Sequence, residues 1–331
     1  MTEAKYYVKL EDGKVKCSLC PHNCIIGPGN RGVCRVRENR EGDLITLNFG
    51  RCSSLALDPI EKKPLYHFYP GSNVLSTGTY GCNFSCQFCQ NWQIAQTEPQ
   101  TVTITPEDLV NKAKELNSLG IAYTYSEPLV WFEFVLATAK LAREAGLKNI
   151  MVTNGFIEPE PLAELLQLID AWNVDIKGFN QDFYRKVVRG DYQPVLRTSA
   201  AVAKSGGHIE ITTLIVPELN DNIDELTTLV RWVRDNLGID TPIHFSRYFP
   251  RYRLKLSPTP LTTMERVWEK ARQYLHYVYL GNVPGIEANN TYCPFCDNLV
   301  IRRMSYNIVI EGLIGRKCSN CGEELAIVTK E

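Results

Sequence analysis

The sequence predicts an α/β fold: a partial, open barrel of six βα units, (βα)6, between a cysteine-rich N-terminal extension and a four-cysteine tail resembling a zinc ribbon or rubredoxin. Three observations predict it. Apolar strand-like runs alternate with helical periodicity from about residue 72 to residue 285, which implies βα units around a parallel sheet. Six such units fall short of the eight that close a full barrel. Eleven of the 12 cysteines form three short-spaced groups, one in each predicted region. The implied division is 1–71, 72–285 and 286–331.

The strand-like runs are 73–80, 120–126, 148–154, 171–177, 209–216 and 243–249. Between them, residues 106–119 begin with Thr105 as a helix cap and a proline in the first turn, and they end at Gly120. Residues 129–145 repeat apolar side chains at three-to-four spacing and stop at Gly146. Further helices fit 159–169, 194–205, 222–237 and 262–275. In such a fold the working residues lie just beyond the C-terminal ends of the strands. Ahead of the barrel, the segment DPIEKKPLYHFYPG combines three prolines with a charge run and reads as a wrap over a surface.

Composition narrows the function class. Lys and Arg number 36 against 37 Asp and Glu, a formal net charge of −1, so no basic excess favours nucleic acid or a membrane surface. The local basic run Arg247 to Lys255 reads as a solvated or substrate-facing loop. No run approaches the ~20 apolar residues of a membrane span, and MTEAKYYVKLEDGKVK lacks the apolar stretch of a secretory signal. The expectation is a cytoplasmic chain whose thiols stay reduced, so the cysteines read as metal ligands.

Cys293, Cys296, Cys318 and Cys321 form two knuckles, CPFC and CSNC, that aim four sulfurs at one tetrahedral centre. Zinc and iron both suit that closed, structural site. Cys17, Cys20, Cys24 and Cys34 lie around a glycine-rich loop and could take one zinc or an auxiliary Fe–S cluster. Cys82, Cys86 and Cys89, in GCNFSCQFCQNW, are only three. On a four-iron cluster, three thiolates leave one iron without a protein ligand, and an open metal position is where chemistry occurs. Cys52 stands alone, with no further ligand spacing around it.

The spacing Cys82-x3-Cys86-x2-Cys89 after the first strand, with Phe88 before the last cysteine, resembles the radical SAM superfamily over roughly residues 72–285. The resemblance implies a [4Fe–4S] cluster whose unligated iron binds S-adenosylmethionine (SAM). One electron then cleaves the S–C5′ bond, and a 5′-deoxyadenosyl radical abstracts hydrogen from a substrate. Within the superfamily the pyruvate formate-lyase-activating branch is most similar. Tyr125-Ser126-Glu127-Pro128 corresponds to the branch's glycine-glycine-glutamate segment, with Glu127 as acceptor for the SAM ammonium. Val152-Thr153-Asn154-Gly155 resembles its TNG segment, with Val152 where an Asp is common. Asp175-Ile176-Lys177 matches its DIK motif, and strand alternation puts Asp175 and Lys177 on one face. His244 matches a histidine near SAM or substrate; Lys177 and His244 are the candidate catalytic residues.

The flanking segments CSLCPHNCIIGPGNRGVCRVREN and DPIEKKPLYHFYPG, with the NTYCPFC…CSNCG ribbon, resemble the AmmeMemoRadiSam radical SAM proteins. That likeness implies AMMECR-like and Memo-like partners, together with an electron donor such as ferredoxin or flavodoxin. Three readings follow: a radical SAM enzyme acting on a small molecule or protein, an activator of a glycyl radical protein, and a metal-ribbon nucleic-acid-binding or assembly protein. Near-neutral charge speaks against the last, because backbone binding needs clustered Lys and Arg.

Overall fold

A computed structural model describes residues 2–283 and 287–329. Its centre is an eight-stranded sheet whose order follows the chain: β1 (Ser54–Pro59), β2 (Asn73–Gly78), β3 (Gly120–Tyr123), β4 (Lys148–Thr153), β5 (Ala171–Asp175), β6 (His208–Ile215), β7 (Ile243–Arg247) and β8 (Val278–Gly281). Strand β1 runs antiparallel to β2, with Ser54 opposite Gly78. All later pairings are parallel.

Six helices link the parallel strands: α1 (Pro106–Glu115), α2 (Phe132–Glu144), α3 (Pro159–Leu166), α4 (Tyr192–Lys204), α5 (Ile223–Leu237) and α6 (Leu261–Ala271). The six predicted βα units are therefore present, followed by one parallel strand more. The sheet order runs open from β1 to β8, so the barrel is partial.

Local chemistry fixes the helix starts. Thr105 Oγ1 accepts from Asp108 N while Asp108 Oδ2 accepts from Thr105 N, a reciprocal cap that satisfies two otherwise unpaired donors of α1. Asn222 caps α5 through Asp224 N and Glu225 N. Helix α1 stops at Glu115, short of the predicted 119, because Asn117 turns to a positive φ of 48°. The predicted start at 129 opens with a tight 3-10 turn over Pro128–Trp131 before α2 begins. Gly120 opens β3 because a Cβ there would sit 1.9 Å from Lys148 O.

Strand alternation divides the core in two. Leu75, Ile121, Tyr123, Met151, Trp172 and Val174 pack with the helices. Val74, Ala122, Ile150 and Ala171 face the other side, against Ile60, Leu65 and Phe68. Both faces are buried, which is why these strands read as near-continuous apolar runs. The segment after β1 therefore departs from the predicted surface wrap. Glu61, Lys63 and His67 are buried in it as well. Each has a partner: Lys63 pairs with Asp58 at 2.9 Å, Glu61 Oε1 accepts from Gly71 N at 2.8 Å while its Oε2 is left without a partner, and His67 pairs with Tyr279 OH at 2.6 Å.

Strand β1 lies before residue 72 yet belongs to the central sheet. The predicted boundary at 285/286 lies outside the described residues. Ahead of β1, two three-stranded antiparallel sheets carry the extension. It docks on the barrel through buried Arg37, which pairs with Glu133 of α2. The ribbon is a small antiparallel sheet, Thr291–Tyr292, Leu299–Met304 and Asn307–Ile310, with its own core of Cys293, Val300, Ile301, Cys318, Leu325 and Ile327. No helix of the described residues is long and apolar enough to cross a membrane.

Candidate active site

The loop after β2 carries Cys82, Cys86 and Cys89. Its backbone is tied on both sides: Ser85 N and Gln87 N donate to Val188 O and Val187 O at 3.1 Å, and Gln87 O accepts from Arg253 N and Leu254 N. The basic run 247–255 thus lies over the cysteine loop, where Tyr252 stacks on Trp92 with centroids 5.1 Å apart. Phe88 is buried and stacks parallel to Phe183.

The three cysteines line one cavity of about 330 Å³ at the C-terminal ends of the strands. Phe88, Ser126, Glu127, Thr153, Asn154, Asp175 and Lys177 line it too. The structure thus brings together ten of the eleven predicted residues of this site. His244 is the exception. It is the second residue of β7 and lines a neighbouring cleft, and its Nε2 lies 2.6 Å from Glu210 Oε2. Ser246, two residues on, is the one from β7 that reaches the cysteine cavity.

Glu127 is 3% exposed. Its carboxylate accepts from Thr153 Oγ1 at 2.6 Å, Asn154 N at 2.8 Å and Leu129 N at 3.0 Å. Burial pushes its pKa up to about 7 against the pull of those donors. Ser126 Oγ donates to Thr79 O at 2.9 Å, holding the segment beside the cysteine loop. Lys177 Nζ lies 2.6 Å from Asp175 Oδ2. Burial alone would lower the lysine pKa; Asp175 and the nearby thiols outweigh it and hold the ammonium above its usual range. Asn154 Nδ2 donates to Asn83 Oδ1 at 2.8 Å and lies 3.8 Å from Cys82 Sγ.

Sequence reasoning missed Asn83, which also donates to Phe156 O at 2.8 Å, and the group around Asp58. Asp58 accepts from Lys62, Lys63 and Tyr125 OH. Both lysines line the cavity, bringing two more cations to its wall. The signal available was the lysine pair itself, inside a segment too apolar for a solvated loop.

The donor set fits a cationic cluster with a zwitterionic ligand. Burial holds Cys86 up at about 12 and Cys82 well above its ordinary value, so the thiols need a cation to ionise. Three thiols, a carboxylate and an ammonium then face one space. Cys52 takes no part: it is buried, with Sγ 3.1 Å from Ser54 O and 3.3 Å from Thr77 Oγ1.

The other two cysteine groups differ. In the ribbon, Sγ atoms of Cys293 and Cys321 lie 3.6 Å apart and those of Cys296 and Cys318 3.7 Å apart, and all four lie within 4.8 Å of one another. That is a formed four-cysteine metal site. Cys17, Cys20, Cys24 and Cys34 surround a small, mostly apolar cavity beside Arg37.

Residues 76–233 match the Radical SAM superfamily. Uncharacterized protein MJ0808 of Methanocaldococcus jannaschii is 49% identical over 335 residues, covering 99% of this chain and 100% of that protein. The pyruvate formate-lyase-activating enzyme of Clostridium pasteurianum is 26% identical over 167 residues, covering 47% of this chain and 68% of that enzyme. A radical SAM methyltransferase from Sphaerobacter thermophilus superposes with a TM-score of 0.51 at 15% identity, over 67% of this chain and 70% of that one, a likeness of fold. With three cysteines after the first parallel strand of an open βα barrel, and with these relatives, the chain belongs to the radical SAM superfamily of enzymes.

Proposed function

We propose that Cys82, Cys86 and Cys89 hold a [4Fe–4S] cluster and that the cavity they line binds SAM for radical hydrogen abstraction from a small-molecule or protein substrate. One observation supports the reading: three thiols, not four, share a single cavity with the buried carboxylate of Glu127 and the partly buried ammonium of Lys177. When bound, the cluster supplies the electron that cleaves SAM to the 5′-deoxyadenosyl radical.

The chain's own residues do the rest. Glu127 takes the SAM ammonium, because its oxygens are already oriented by Thr153, Asn154 and Leu129 and lose no freedom on binding. Lys177, steered by Asp175, offers its ammonium to the SAM carboxylate. Ser126 and Asn154 fix the walls on either side. Phe88, with Phe183 stacked behind it, keeps water from the reacting atoms. An electron donor such as ferredoxin or flavodoxin, and AMMECR-like and Memo-like partners, belong to the same reading on the likeness of the flanking motifs. Activation of a glycyl radical protein is the second reading, favoured by the likeness to the C. pasteurianum enzyme.

The test is anaerobic reconstitution with iron and sulfide, followed by dithionite and SAM. 5′-Deoxyadenosine forms in the wild-type chain and falls to background in Cys86→Ala. No product from wild type, or an undiminished rate in the variant, overturns the reading.

A further inference from the structure

We propose that Cys17, Cys20, Cys24 and Cys34 hold a second iron–sulfur cluster, packed against the loop that bears Cys82, and that it relays single electrons to the site there. The relay, though not the cluster, rests on the function proposed above.

The spacing of the sulfurs separates a cluster from a single ion. Zn–S bonds of about 2.3 Å on a tetrahedron set the sulfurs about 3.8 Å apart. The ribbon cysteines meet that distance, at 3.6 and 3.7 Å. Among the described residues, theirs is the one group of three or more metal-ligating side chains with all ligand atoms within 4.8 Å of one another. The N-terminal thiols are therefore held wider than the shell of one ion. A cluster needs that spread, because each thiolate binds its own iron or shares an iron within a larger core.

Their surroundings agree. The four thiols line a cavity of about 20 Å³ with Leu19, Ile26 and Val130, an apolar chamber unsuited to hydrated ions. Arg37, 1% exposed, also lines it, with Nη1 3.7 Å from Cys17 Sγ and Nε without a partner. A cluster ligated by four thiolates is anionic, and Arg37, though its charge is paired with Glu133, still presents an N–H donor to Cys17 Sγ. All four sulfurs are used, so no iron is left open for a substrate.

Position supplies the role. His22, between Cys20 and Cys24, has Nε2 2.6 Å from Asn83 O. Cys34 O packs so tightly on Gly81, φ +88°, that a Cβ there would sit 2.7 Å away. Arg35 Nη2 reaches Cys82 O at 3.5 Å. Residues of the N-terminal cage thus touch Gly81, Cys82 and Asn83 in turn. In the relay, a low-potential one-electron donor of the ferredoxin or flavodoxin kind reduces the cage cluster by one electron. That electron passes to the cluster on Cys82, Cys86 and Cys89, and the cage cluster returns to its oxidised form with no bond made or broken.

The test uses the full chain with Cys82, Cys86 and Cys89 all changed to Ala, reconstituted anaerobically with ⁵⁷Fe and sulfide. It retains acid-labile sulfide and a Mössbauer signal of an iron–sulfur cluster, and both vanish when Cys20→Ser and Cys24→Ser are added. The ribbon metal, measured in each variant, reports that the chain has folded. Zinc without labile sulfide in the triple variant overturns the proposal. If wild type forms no 5′-deoxyadenosine while the triple variant keeps its cluster, the proposed function fails and the second cluster stands. For the relay, Cys20→Ser/Cys24→Ser in the otherwise wild-type chain slows reduction of the remaining cluster by reduced flavodoxin at least tenfold, while dithionite still reduces it; equal rates with flavodoxin overturn the relay.

Discussion

The ribbon and the barrel mouth use the same side chain for opposite ends. In the ribbon, four thiols converge within 4.8 Å, sit at the edge of a small private core and leave nothing open. At the barrel mouth, three thiols border a cavity of about 330 Å³ that they share with Glu127, Asp175 and Lys177. A complete ligand shell holds a fold; an incomplete one beside oriented charges prepares a reaction. Ligand number and the neighbouring side chains, rather than the presence of cysteine, separate the two.

The comparison breaks most sharply if removing a ribbon ligand silences the chemistry. Cys296→Ser is expected to lose the ribbon metal and several kcal/mol of stability, in keeping with the large folding contribution of structural metals. Its thermal midpoint falls while 5′-deoxyadenosine formation persists at low temperature. The reverse substitution sharpens the contrast. Glu127→Gln keeps size and burial but removes the negative charge, worth about 1.5–3 kcal/mol for a hydrogen bond to a charged group, or roughly 10- to 100-fold in SAM affinity. Isothermal titration with SAM measures it, and the ribbon metal content stays unchanged.

The ribbon meets the central sheet at His67, between Ala326 O and Tyr279 OH, and a pH series probes that joint. Burial lowers its pKa to about 3, from the ordinary histidine value of about 6.5. Between those values the unfolded chain binds the extra proton and the folded chain does not, so stability is fully present above 6.5 and falls as pH drops. From pH 6.5 to 5 the loss is about 2 kcal/mol. Glu210, whose pKa the hydrogen bonds from His208 and His244 hold below the carboxylate range despite burial, adds to the same acid lability at lower pH. His67→Gln flattens the first part of this dependence in thermal melts. The smallest effect is expected on the ribbon surface. Arg302 and Glu311 pair at 2.6 Å but are well exposed, and Arg302→Ala changes stability by less than about 1 kcal/mol.

What the sequence disclosed was local. The cap at Thr105, the cysteine spacings, and the placement of Asp175 and Lys177 two residues apart all follow from chemistry within a few residues. What it concealed depended on distant partners. Asp58, Glu61 and Lys63 look like a solvated charge run, yet Asp58 is met by Tyr125, 67 positions away. His244 is drawn to Glu210, 34 positions back, a carboxylate that no motif marks. Strand β8, four residues long, carries too short a pattern to be read before its pairing with β7 is seen.

His67 also carries a consequence for biosynthesis. Its Nδ1 lies 2.8 Å from Ala326 O, 259 positions along the chain, and Tyr69 N donates to Val328 O nearby. At a synthesis rate of about 5–20 residues per second, roughly 10 to 50 s separate the two halves of this contact as they leave the ribosome. The barrel strands, ending at Gly281, all emerge within that interval, and the ribbon strand that meets His67 comes after them. The segment that fills the inner face of the sheet therefore waits, half-paired, until residues 326–328 have been made, and the ribbon completes its hydrogen bonds last.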